Sequence, residues 1–367
     1  MSTWQVLLGD VRETLARIPA GSVQTCVTSP PYWGLRDYGT ATWDGGDPAC
    51  DHDQRRREND GSSKSATSAG QTRDSVAGRT TCRKCGARRI DAQLGLEPTP
   101  AEYVARMVEV FAGVWRVLRD DGTLWLNLGD SYNAGTSAPR SNPDERWNAE
   151  FAGRTSHNAR NAVSGLKPKD LVGIPWMVAF ALRDAGWYLR SDIIWNKCNP
   201  MPESVTDRPT KAHEYLFLLT KSARYYYDAD AIKEAITSEA SIARNRSTPR
   251  QIMGAGARQP GGDPTYRQQV NETDAGRNKR SVWTVATQPY PEAHFATYPE
   301  ALIEPCILAG SKPGDLVLDP FTGSGTTGAV AIRHQRSFVG CELNPAYLDL
   351  ARRRIGDVAP LLAREVA

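Results

Sequence analysis

The feature that most constrains the fold of this chain is a glycine-rich segment from Leu316 to Gly328, with the sequence LVLDPFTGSGTTG. It begins as a short apolar strand, passes into a turn of small residues, and is followed by Ala329 to Ile332, which can open a helix. Small residues allow the backbone to approach a ligand closely, and a helix N-terminus favours a negative group such as a carboxylate. The segment therefore predicts a nucleotide-type binding loop between a strand and a helix.

A second strand, Ser337 to Cys341, follows this loop and ends at Glu342. Glu342 lies about 20 residues beyond the loop, where a carboxylate in a doubly wound sheet reaches ribose hydroxyls. The loop lacks the full dinucleotide fingerprint G-x-G-x-x-G, and it lacks the lysine of a phosphate-binding P-loop. NAD and ATP are therefore not the expected ligands.

Another constrained stretch, Thr28 to Trp33 (TSPPYW), follows the apolar run from Val23 to Val27. Its two prolines fix φ and remove two backbone donors, so the segment is a stiff turn whose carbonyl groups can act as acceptors. The Ser29 hydroxyl and the Pro30 carbonyl can each accept a hydrogen bond from an exocyclic amine, and Tyr32 can stack on the ring that carries it. On these residues alone, a strand-ending turn with a buried aromatic side chain is the alternative.

Two motifs carry a resemblance to a known family: D-P-F-x-G-x-G, beginning at Asp319, and S-P-P-Y, beginning at Ser29. Together they resemble the amino-group DNA methyltransferases that use S-adenosylmethionine, and their order, with the catalytic motif first, resembles the beta class. The resemblance covers most of the chain outside three polar insertions. It implies an α/β fold, a circularly permuted Rossmann-like S-adenosylmethionine methyltransferase sheet with a target-recognition insertion. It also implies double-stranded DNA as the partner. A small zinc-binding insertion is expected separately, from the cysteine spacing described below.

The resemblance assigns the site residues. The catalytic residues would be Ser29, Pro30, Pro31 and Tyr32. The residues that would bind S-adenosylmethionine are Asp10, Thr28, His294, Phe295, Pro299, Asp319, Pro320, Phe321, Gly323, Gly325, Thr326, Glu342 and Asn344. Asp10 would contact the adenine of the cofactor, and a capping aspartate is the alternative. The segment from His294 to Pro299 resembles the family motif beside the cofactor's methionine end.

The expected organisation divides the methyltransferase domain into two halves. The ranges are 1–43 and 96–221 for the catalytic half, 44–95 for a partly disordered zinc-binding insertion, 222–288 for a DNA target-recognition region and 289–367 for the cofactor-binding half. In the family, segments like Lys197 to Pro202 and Arg208 to Glu214 flank the target-base pocket, although a simple strand-end carboxylate is an equal interpretation of Glu214. Residues 222–281 are rich in arginine, glutamine, glycine, serine and threonine. Arginine, glutamine and asparagine are the residue types that read guanine and adenine edges in the major groove.

The base that would be methylated follows from the first residue of the catalytic motif. Serine at position 29 resembles the cytosine-N4 members, and adenine N6 is the alternative. An exocyclic amine is a poor nucleophile because its lone pair is delocalised, so the expected catalysis is positioning and electrostatics without a covalent enzyme intermediate. The base must be flipped out of the duplex to reach the pocket.

A cysteine constellation interrupts the catalytic half. Cys50-x-His52 and Cys82-x-x-Cys85 have the spacing of a structural zinc site with four protein ligands. A redox Cys-x-x-Cys and a site without metal are the alternatives. The remaining thiols lie in apolar or strand contexts and are expected to be inert core cysteines: Cys26, Cys198, Cys306 and Cys341.

Helix and strand signals place the rest of the catalytic half. Thr99 followed by Pro100 predicts a helix start. Residues 120–122, Asp-Asp-Gly, are expected to end that helix, and 123–128 to form a buried strand that leads to Asp130 at the ligand-binding edge. The last helix, from Asn344 to Arg354, has a basic end that would interact with the helix dipole.

Composition and charge limit the classes of protein to which the chain can belong. The formal net charge is +3, but the basic residues crowd two segments, 55–89 and 244–280, which suits a phosphate backbone or a solvated loop equally. No apolar run approaches the roughly 18 residues of a membrane span, and no signal peptide is recognised, so a cytoplasmic protein without membrane association is expected.

Two other function classes remain: an RNA or protein amide methyltransferase, and a non-enzymatic zinc-containing DNA-binding protein. Monomer and homodimer both stay open, and a cognate restriction endonuclease cannot be inferred.

Overall fold

The computed structural model describes residues 2–34, 40–50, 52, 81–82, 84–133, 166–167, 169–235, 276–288, 297–360 and 363–366. The strands within these residues are β1 (Ser2–Leu8), β2 (Val23–Thr28), β3 (Thr42–Asp44), β4 (Arg88–Ile90), β5 (Leu118–Leu128), β6 (Tyr188–Asn196), β7 (His213–Thr220), β8 (Glu234–Ala235), β9 (Gly276–Arg277), β10 (Val282–Thr284), β11 (Leu316–Asp319), β12 (Ser337–Glu342) and β13 (Ala363–Glu365). The helices are α1 (Val11–Arg17), α2 (Pro100–Val117), α3 (Ile174–Asp184), α4 (Glu300–Gly310), α5 (Thr326–Arg333) and α6 (Pro345–Gly356).

One sheet of nine strands organises the molecule, in the order β10-β6-β7-β5-β2-β11-β12-β1-β13. Neighbouring strands are parallel except at β7, which runs antiparallel to both β5 and β6. Two short antiparallel pairs, β3 with β4 and β8 with β9, lie outside this sheet. The prediction of a mixed α/β fold built on a large, mostly parallel sheet is confirmed.

Helices cover the sheet on both faces, because the strands of a parallel sheet are buried on both sides. Buried residues of α1, α2 and α3 form one hydrophobic cluster, which includes Leu15, Phe111 and Val178. Buried residues of α4, α5 and α6 form the other, which includes Ile303 and Ile355. No helix of the described part of the chain has the length and apolarity that crossing a bilayer requires.

The direction of the strand order reverses between β2 and β11. From β11 the chain passes through α5 to β12, whereas from β2 it passes through α2 to β5, on the other side of the β2-β11 pair. Ligands of open α/β sheets bind outside the carboxyl ends of the strands at such a switch point. The edge formed by Thr28 and Asp319 is therefore the expected ligand crevice.

Two local expectations are wrong. Helix α2 ends at Val117 and not at residues 120–122, because β5 already begins at Leu118, which pairs with Val23 and is fully buried. The register shift that follows accommodates the polar residues within the strand. Cys198 is exposed rather than part of the core. The predicted start of α2 is confirmed, since the Thr99 side chain accepts a hydrogen bond from Glu102 N.

Candidate active site

The catalytic motif and the glycine-rich loop meet at the ends of β2 and β11. The Thr28 hydroxyl donates to Asp319 Oδ1 at 2.7 Å. Asp319 is fully buried, and its carboxylate also accepts from Thr327 Oγ1 at 2.6 Å, Tyr298 OH at 2.9 Å and Phe321 N at 3.0 Å. Burial raises the pKa of Asp319, although these donors act in the opposite direction. Asp319 thus fastens the two strand ends and the start of the loop to each other.

The loop after Asp319 needs glycine at two positions. Gly323 and Gly325 have φ of 53° and 81°, which is left-handed backbone. A Cβ on Gly325 would lie 3.0 Å from the Cα of Ala351, so α6 packs directly against the loop. Helix α5 begins at Thr326 without a side-chain cap. Its first amide groups are therefore not capped by the residue that precedes the helix, which suits a ligand carboxylate.

Glu342 lies at the carboxyl end of β12, beside this loop. Its carboxylate accepts hydrogen bonds from Gly323 N and Asn344 N, both at 2.8 Å. Burial raises the pKa of Glu342 to about 7. The Asn344 side chain accepts from Ala346 N at 3.0 Å and caps α6, so the described contact of this predicted cofactor residue is a capping contact.

Asp10 lies one strand farther along the same edge, because Gly9 N donates to the Glu342 carbonyl at 2.9 Å. Its carboxylate caps α1 by accepting from Arg12 N at 2.8 Å, and it also pairs with the Arg12 guanidinium at 2.7 Å. Burial raises the pKa of Asp10, but the Arg12 hydrogen bonds outweigh it and the net pKa is lowered. Asp10 therefore caps α1 and also lies next to the strand end that carries Glu342, close to the glycine-rich loop.

Arg354 has a role that the sequence analysis did not identify. Its guanidinium donates to Ser324 Oγ at 3.1 Å, to Thr326 Oγ1 at 2.9 Å and to Glu300 Oε1 at 2.9 Å. The interpretation of this residue as a partner of the helix dipole alone is therefore wrong, because it ties α6 to the glycine-rich loop and to α4. The Thr326 hydroxyl, predicted to contact the cofactor, is engaged by this arginine.

The turn that is predicted to be catalytic (residues 29–32, called the catalytic turn below) begins directly after β2. Ser29 Oγ donates to Tyr32 OH at 3.3 Å, and Tyr32 OH donates to Glu214 Oε2 at 2.7 Å. The Pro31 carbonyl accepts from Tyr103 OH at 2.9 Å. Within the described residues, no donor is hydrogen-bonded to the carbonyl oxygen of Pro30, which therefore remains an acceptor, as expected for this turn.

Glu214 and Asn127 hold the Tyr32 ring in place. Asn127 Nδ2 donates to Glu214 Oε2 at 3.2 Å and to the Tyr215 carbonyl at 3.1 Å. Glu214 also forms a salt bridge with Lys197, whose ammonium lies 4.5 Å from the Trp195 ring centroid. Burial, together with the Glu214 carboxylate, raises the pKa of Tyr32 well above its usual value, so its phenol stays protonated. The contact with Tyr32 favours the interpretation of Glu214 as a residue beside the predicted base pocket over that of a simple strand-end carboxylate.

Asn127 is a further residue beside the catalytic turn, and it was not among the residues predicted from the sequence. Thr28 pairs with Leu126 in the neighbouring strand, which places Asn127 at the same carboxyl edge as the catalytic turn. A polar residue in the otherwise apolar run from Leu124 to Leu128, which ends at this edge, was the available signal. Lys211 is a further cation of this edge, since its Nζ donates to the Asp130 carbonyl at 3.0 Å and its burial lowers the pKa.

The predicted zinc ligands converge. One ligand atom from each of Cys50, His52, Cys82 and Cys85 lies within 4.8 Å of the other three. Cys50 Sγ is 3.9 Å from Cys82 Sγ, and Cys85 Sγ is 3.4 Å from His52 Nδ1. Two thiolates on a tight turn and a third thiolate with an imidazole are a typical donor set for tetrahedral zinc. These four residues are called the four-ligand cluster below.

Several predictions fall outside or at the margin of the described residues. His294, Phe295 and most of the two basic segments lie outside them. Pro299 immediately precedes α4, and Pro320 lies in the loop after Asp319. In the second basic segment, Arg277 and Arg280 form salt bridges of 3.0 and 3.2 Å with Glu234.

Comparisons with known proteins agree with this geometry. A family model described as a DNA methylase matches residues 23–353. The Type II methyltransferase M.Cfr9I of Citrobacter freundii is 43% identical over 349 residues, covering 95% of this chain and 86% of that protein. The Type II methyltransferase M.SmaI of Serratia marcescens is 40% identical over 351 residues, covering 96% of this chain and 90% of that protein.

Solved structures share the fold. The cytosine-N4-specific PvuII DNA methyltransferase superposes with a TM-score of 0.55 at 16% identity, covering 100% of this chain and 95% of that chain. The putative DNA modification methylase TTHA0409 of Thermus thermophilus, solved in complex with S-adenosyl-L-methionine, superposes with a TM-score of 0.51 at 19% identity, covering 100% of both chains. Since the family model spans most of the sequence and two relatives reach 40% identity, the chain belongs to the DNA methylase family of amino-group methyltransferases.

Proposed function

We propose that this DNA methyltransferase transfers a methyl group from S-adenosylmethionine to the exocyclic N4 amine of cytosine in duplex DNA. The observation that carries the proposal is the 2.7 Å hydrogen bond from Thr28 to Asp319, residues 291 positions apart. It joins the catalytic turn to the glycine-rich loop at the switch point of the sheet, where a methyl donor and an acceptor amine can meet.

The carboxyl edge of the sheet, from Asp10 to the glycine-rich loop, would supply contacts for each part of S-adenosylmethionine. Glu342 offers carboxylate oxygens to the ribose hydroxyls, and Asp10, on the adjacent strand end, is positioned for the adenine. The loop of Gly323 and Gly325 admits the ligand close to the backbone, and the N-terminus of α5 favours its carboxylate. When bound there, the cofactor provides an electrophilic sulfonium methyl group.

The catalytic turn orients the nucleophile. The Ser29 hydroxyl and the Pro30 carbonyl accept hydrogen bonds from the amine, which favours a pyramidal nitrogen whose lone pair faces the methyl group. Tyr32, fixed by Glu214, stacks on the base after it has left the duplex. Transfer would form a bond between the amine nitrogen and the methyl carbon, break the carbon–sulfur bond with its electron pair on sulfur, and release one amine proton to solvent.

Cytosine is proposed as the base because Ser29 begins the motif as in the cytosine-N4 enzymes that it resembles. The Ser29 hydroxyl can accept a hydrogen bond from the amine while it donates one to Tyr32 OH. It can therefore bind the N4 amine without placing a second negative charge beside the Glu214 carboxylate.

Three finer assignments complete the proposal. The motif order supports a circularly permuted methyltransferase sheet, with residues 222–288 as the target-recognition region. The four-ligand cluster would bind structural zinc. Both relatives are named Type II methyltransferases, which supports a role in restriction and modification.

Two substitutions separate the proposed roles. Ser29→Ala should abolish transfer to duplex DNA while leaving the affinity for S-adenosylmethionine within about twofold, because the Ser29 side chain is bonded to Tyr32 and makes no described hydrogen bond to the glycine-rich loop. Gly323→Val should abolish cofactor binding, because its φ of 53° is left-handed backbone that a β-branched residue rarely adopts, so the loop would have to change conformation. Calorimetric titration with S-adenosylmethionine and single-turnover transfer measure both effects. Unchanged cofactor binding in Gly323→Val would refute the pocket assignment.

A further inference from the structure

The C-terminal end of the insertion that carries the four-ligand cluster is hydrogen-bonded to the residues that directly follow the catalytic turn. Gly34, which leaves the turn, donates its amide hydrogen to the Gly95 carbonyl at 2.8 Å. Trp33 Nε1 donates to the Glu97 carbonyl at 2.9 Å, and the Glu97 carboxylate accepts from Gly95 N at 2.8 Å. Residues 94–97, the base segment, therefore lie directly behind the residue that is proposed to stack on the flipped base.

Gly95 shows how closely the base segment packs against the turn. Its φ is +91°, and a Cβ at this position would lie 2.9 Å from the Tyr32 carbonyl oxygen and 3.4 Å from the Pro31 Cβ. A side chain cannot be added there unless the turn or the segment moves. The position of Tyr32 consequently depends on the position of the base segment.

A short ladder connects the base segment to the four-ligand cluster. Strands β3 and β4 pair through Thr42 with Ile90, Trp43 with Arg89, and Asp44 with Arg88. The base segment follows β4, and the cluster lies at the opposite end of the ladder. The Trp43 ring stacks on His52 with centroids 4.9 Å apart. A loss of order at the four-ligand cluster would therefore be transmitted to the base segment through these three residue pairs.

The ladder has little stability of its own. It contains only three residue pairs, and both strands are exposed at their two outer positions and half-buried at the central one. An isolated two-stranded ladder is marginal in water. A tetrahedral metal with four protein ligands supplies folding free energy to such a small module.

We infer that zinc in the four-ligand cluster positions the catalytic turn, by holding the ladder and hence the base segment against Tyr32. The inference rests on the proposed zinc site and on the proposed methyl transfer. Loss of the metal is expected to slow transfer to DNA and to leave S-adenosylmethionine binding unchanged. The reason is that, among the described residues, the glycine-rich loop and the adjoining Asp319 make hydrogen bonds with β2, β12, α6 and Tyr298, and none with this insertion.

The test compares four full-length proteins: wild type, Cys82→Ser, Cys306→Ser and Gly95→Ala. Cys306→Ser is the matched control, because the thiol lies outside the cluster and a serine hydroxyl can also bond the Leu302 carbonyl that accepts from Cys306 Sγ at 3.6 Å. The measurements are zinc content by elemental analysis, amide hydrogen exchange, calorimetric binding of S-adenosylmethionine and single-turnover transfer to duplex DNA.

Wild type, Cys306→Ser and Gly95→Ala are expected to hold about one zinc ion per chain, and Cys82→Ser to hold none. In Cys82→Ser, exchange at Gly34 N should accelerate and transfer should fall by on the order of tenfold or more, whereas exchange at Gly323 N and cofactor affinity should not change. Gly95→Ala should slow transfer with its zinc retained, so the inference stays testable even where Cys82→Ser does not fold.

Wild-type protein without zinc would overturn the inference at its first step. Zinc-free Cys82→Ser with unchanged exchange at Gly34 and unchanged transfer would refute the positioning role, and so would full activity of Gly95→Ala. Zinc content and hydrogen exchange are measured without DNA. A protein that methylates no DNA would therefore refute the proposed function without obscuring the outcome of these two measurements.

Discussion

The Tyr32 ring is the most sensitive part of the proposed base pocket, and Gly129 offers a direct way to displace it. A Cβ on Gly129 would lie 2.5 Å from Tyr32 Cε2 and 2.9 Å from Cδ2. Ordinary carbon contacts are about 3.5–4.0 Å, so Gly129→Ala must move the ring by about 1 Å. Gly129 does not have a positive φ, and the added methyl group therefore acts on the ring and not through backbone strain.

A displacement of about 1 Å at a group that orients the base can cost on the order of 100-fold in rate, or about 2.7 kcal/mol. Gly129→Ala should accordingly slow single-turnover transfer by that order, while the affinity for S-adenosylmethionine stays within about twofold. Gly356→Ala is the matched control, because its new Cβ would meet only Trp4 at an ordinary 3.7 Å. A wild-type transfer rate in Gly129→Ala would refute the assignment of Tyr32 to the base.

Three further predictions concern the cofactor loop and the aromatic ring. Gly325→Ala should weaken S-adenosylmethionine binding, measured by calorimetry, because φ is +81° and the new Cβ would lie 3.0 Å from the Ala351 backbone; unchanged affinity would contradict this packing. Since burial raises the pKa of Glu342 to about 7, its carboxylate is ionised above that pH, so affinity should be full there and fall by up to about tenfold per pH unit below it. Glu342→Gln should abolish this pH dependence, and a pH-independent wild type would oppose the ribose assignment. Tyr32→Phe should keep most of the transfer rate because the ring remains, whereas Tyr32→Ala should lose about 1–3 kcal/mol of base stacking; equal rates in the two variants would argue against stacking.

The parts of the fold that could be predicted from the sequence are those with local causes. The two prolines after β2 and the glycines after β11 have conformations that few other residues allow, so these turns could be identified without a structure. The apolar runs that precede them are buried strands, because a mostly parallel sheet is covered on both faces. These two strand ends locate the ligand crevice.

The parts that could not be predicted depend on contacts between distant segments. Glu214 reaches Tyr32 across 182 positions, and Arg354 reaches back from α6 to Thr326 at the start of α5. Neither contact leaves a local pattern, since a strand-end carboxylate and a basic helix end have ordinary explanations. Residues 120–122 resemble a turn, but pairing of Leu118 with Val23 extends the strand through them. In all three cases the structure depends on contacts between segments that are distant in the sequence.

The measurement that tests the account most directly is the identity of the methylated nucleoside. The purified protein would be incubated with S-adenosylmethionine carrying a labelled methyl group and with unmethylated duplex DNA of varied sequence, and the digested nucleosides would be identified by mass spectrometry, with Ser29→Ala as the control. The account predicts labelled N4-methylcytosine with the wild type and none with Ser29→Ala. Labelled N6-methyladenine would contradict the assignment of cytosine, and the absence of any methylated nucleoside would contradict the proposed transfer itself.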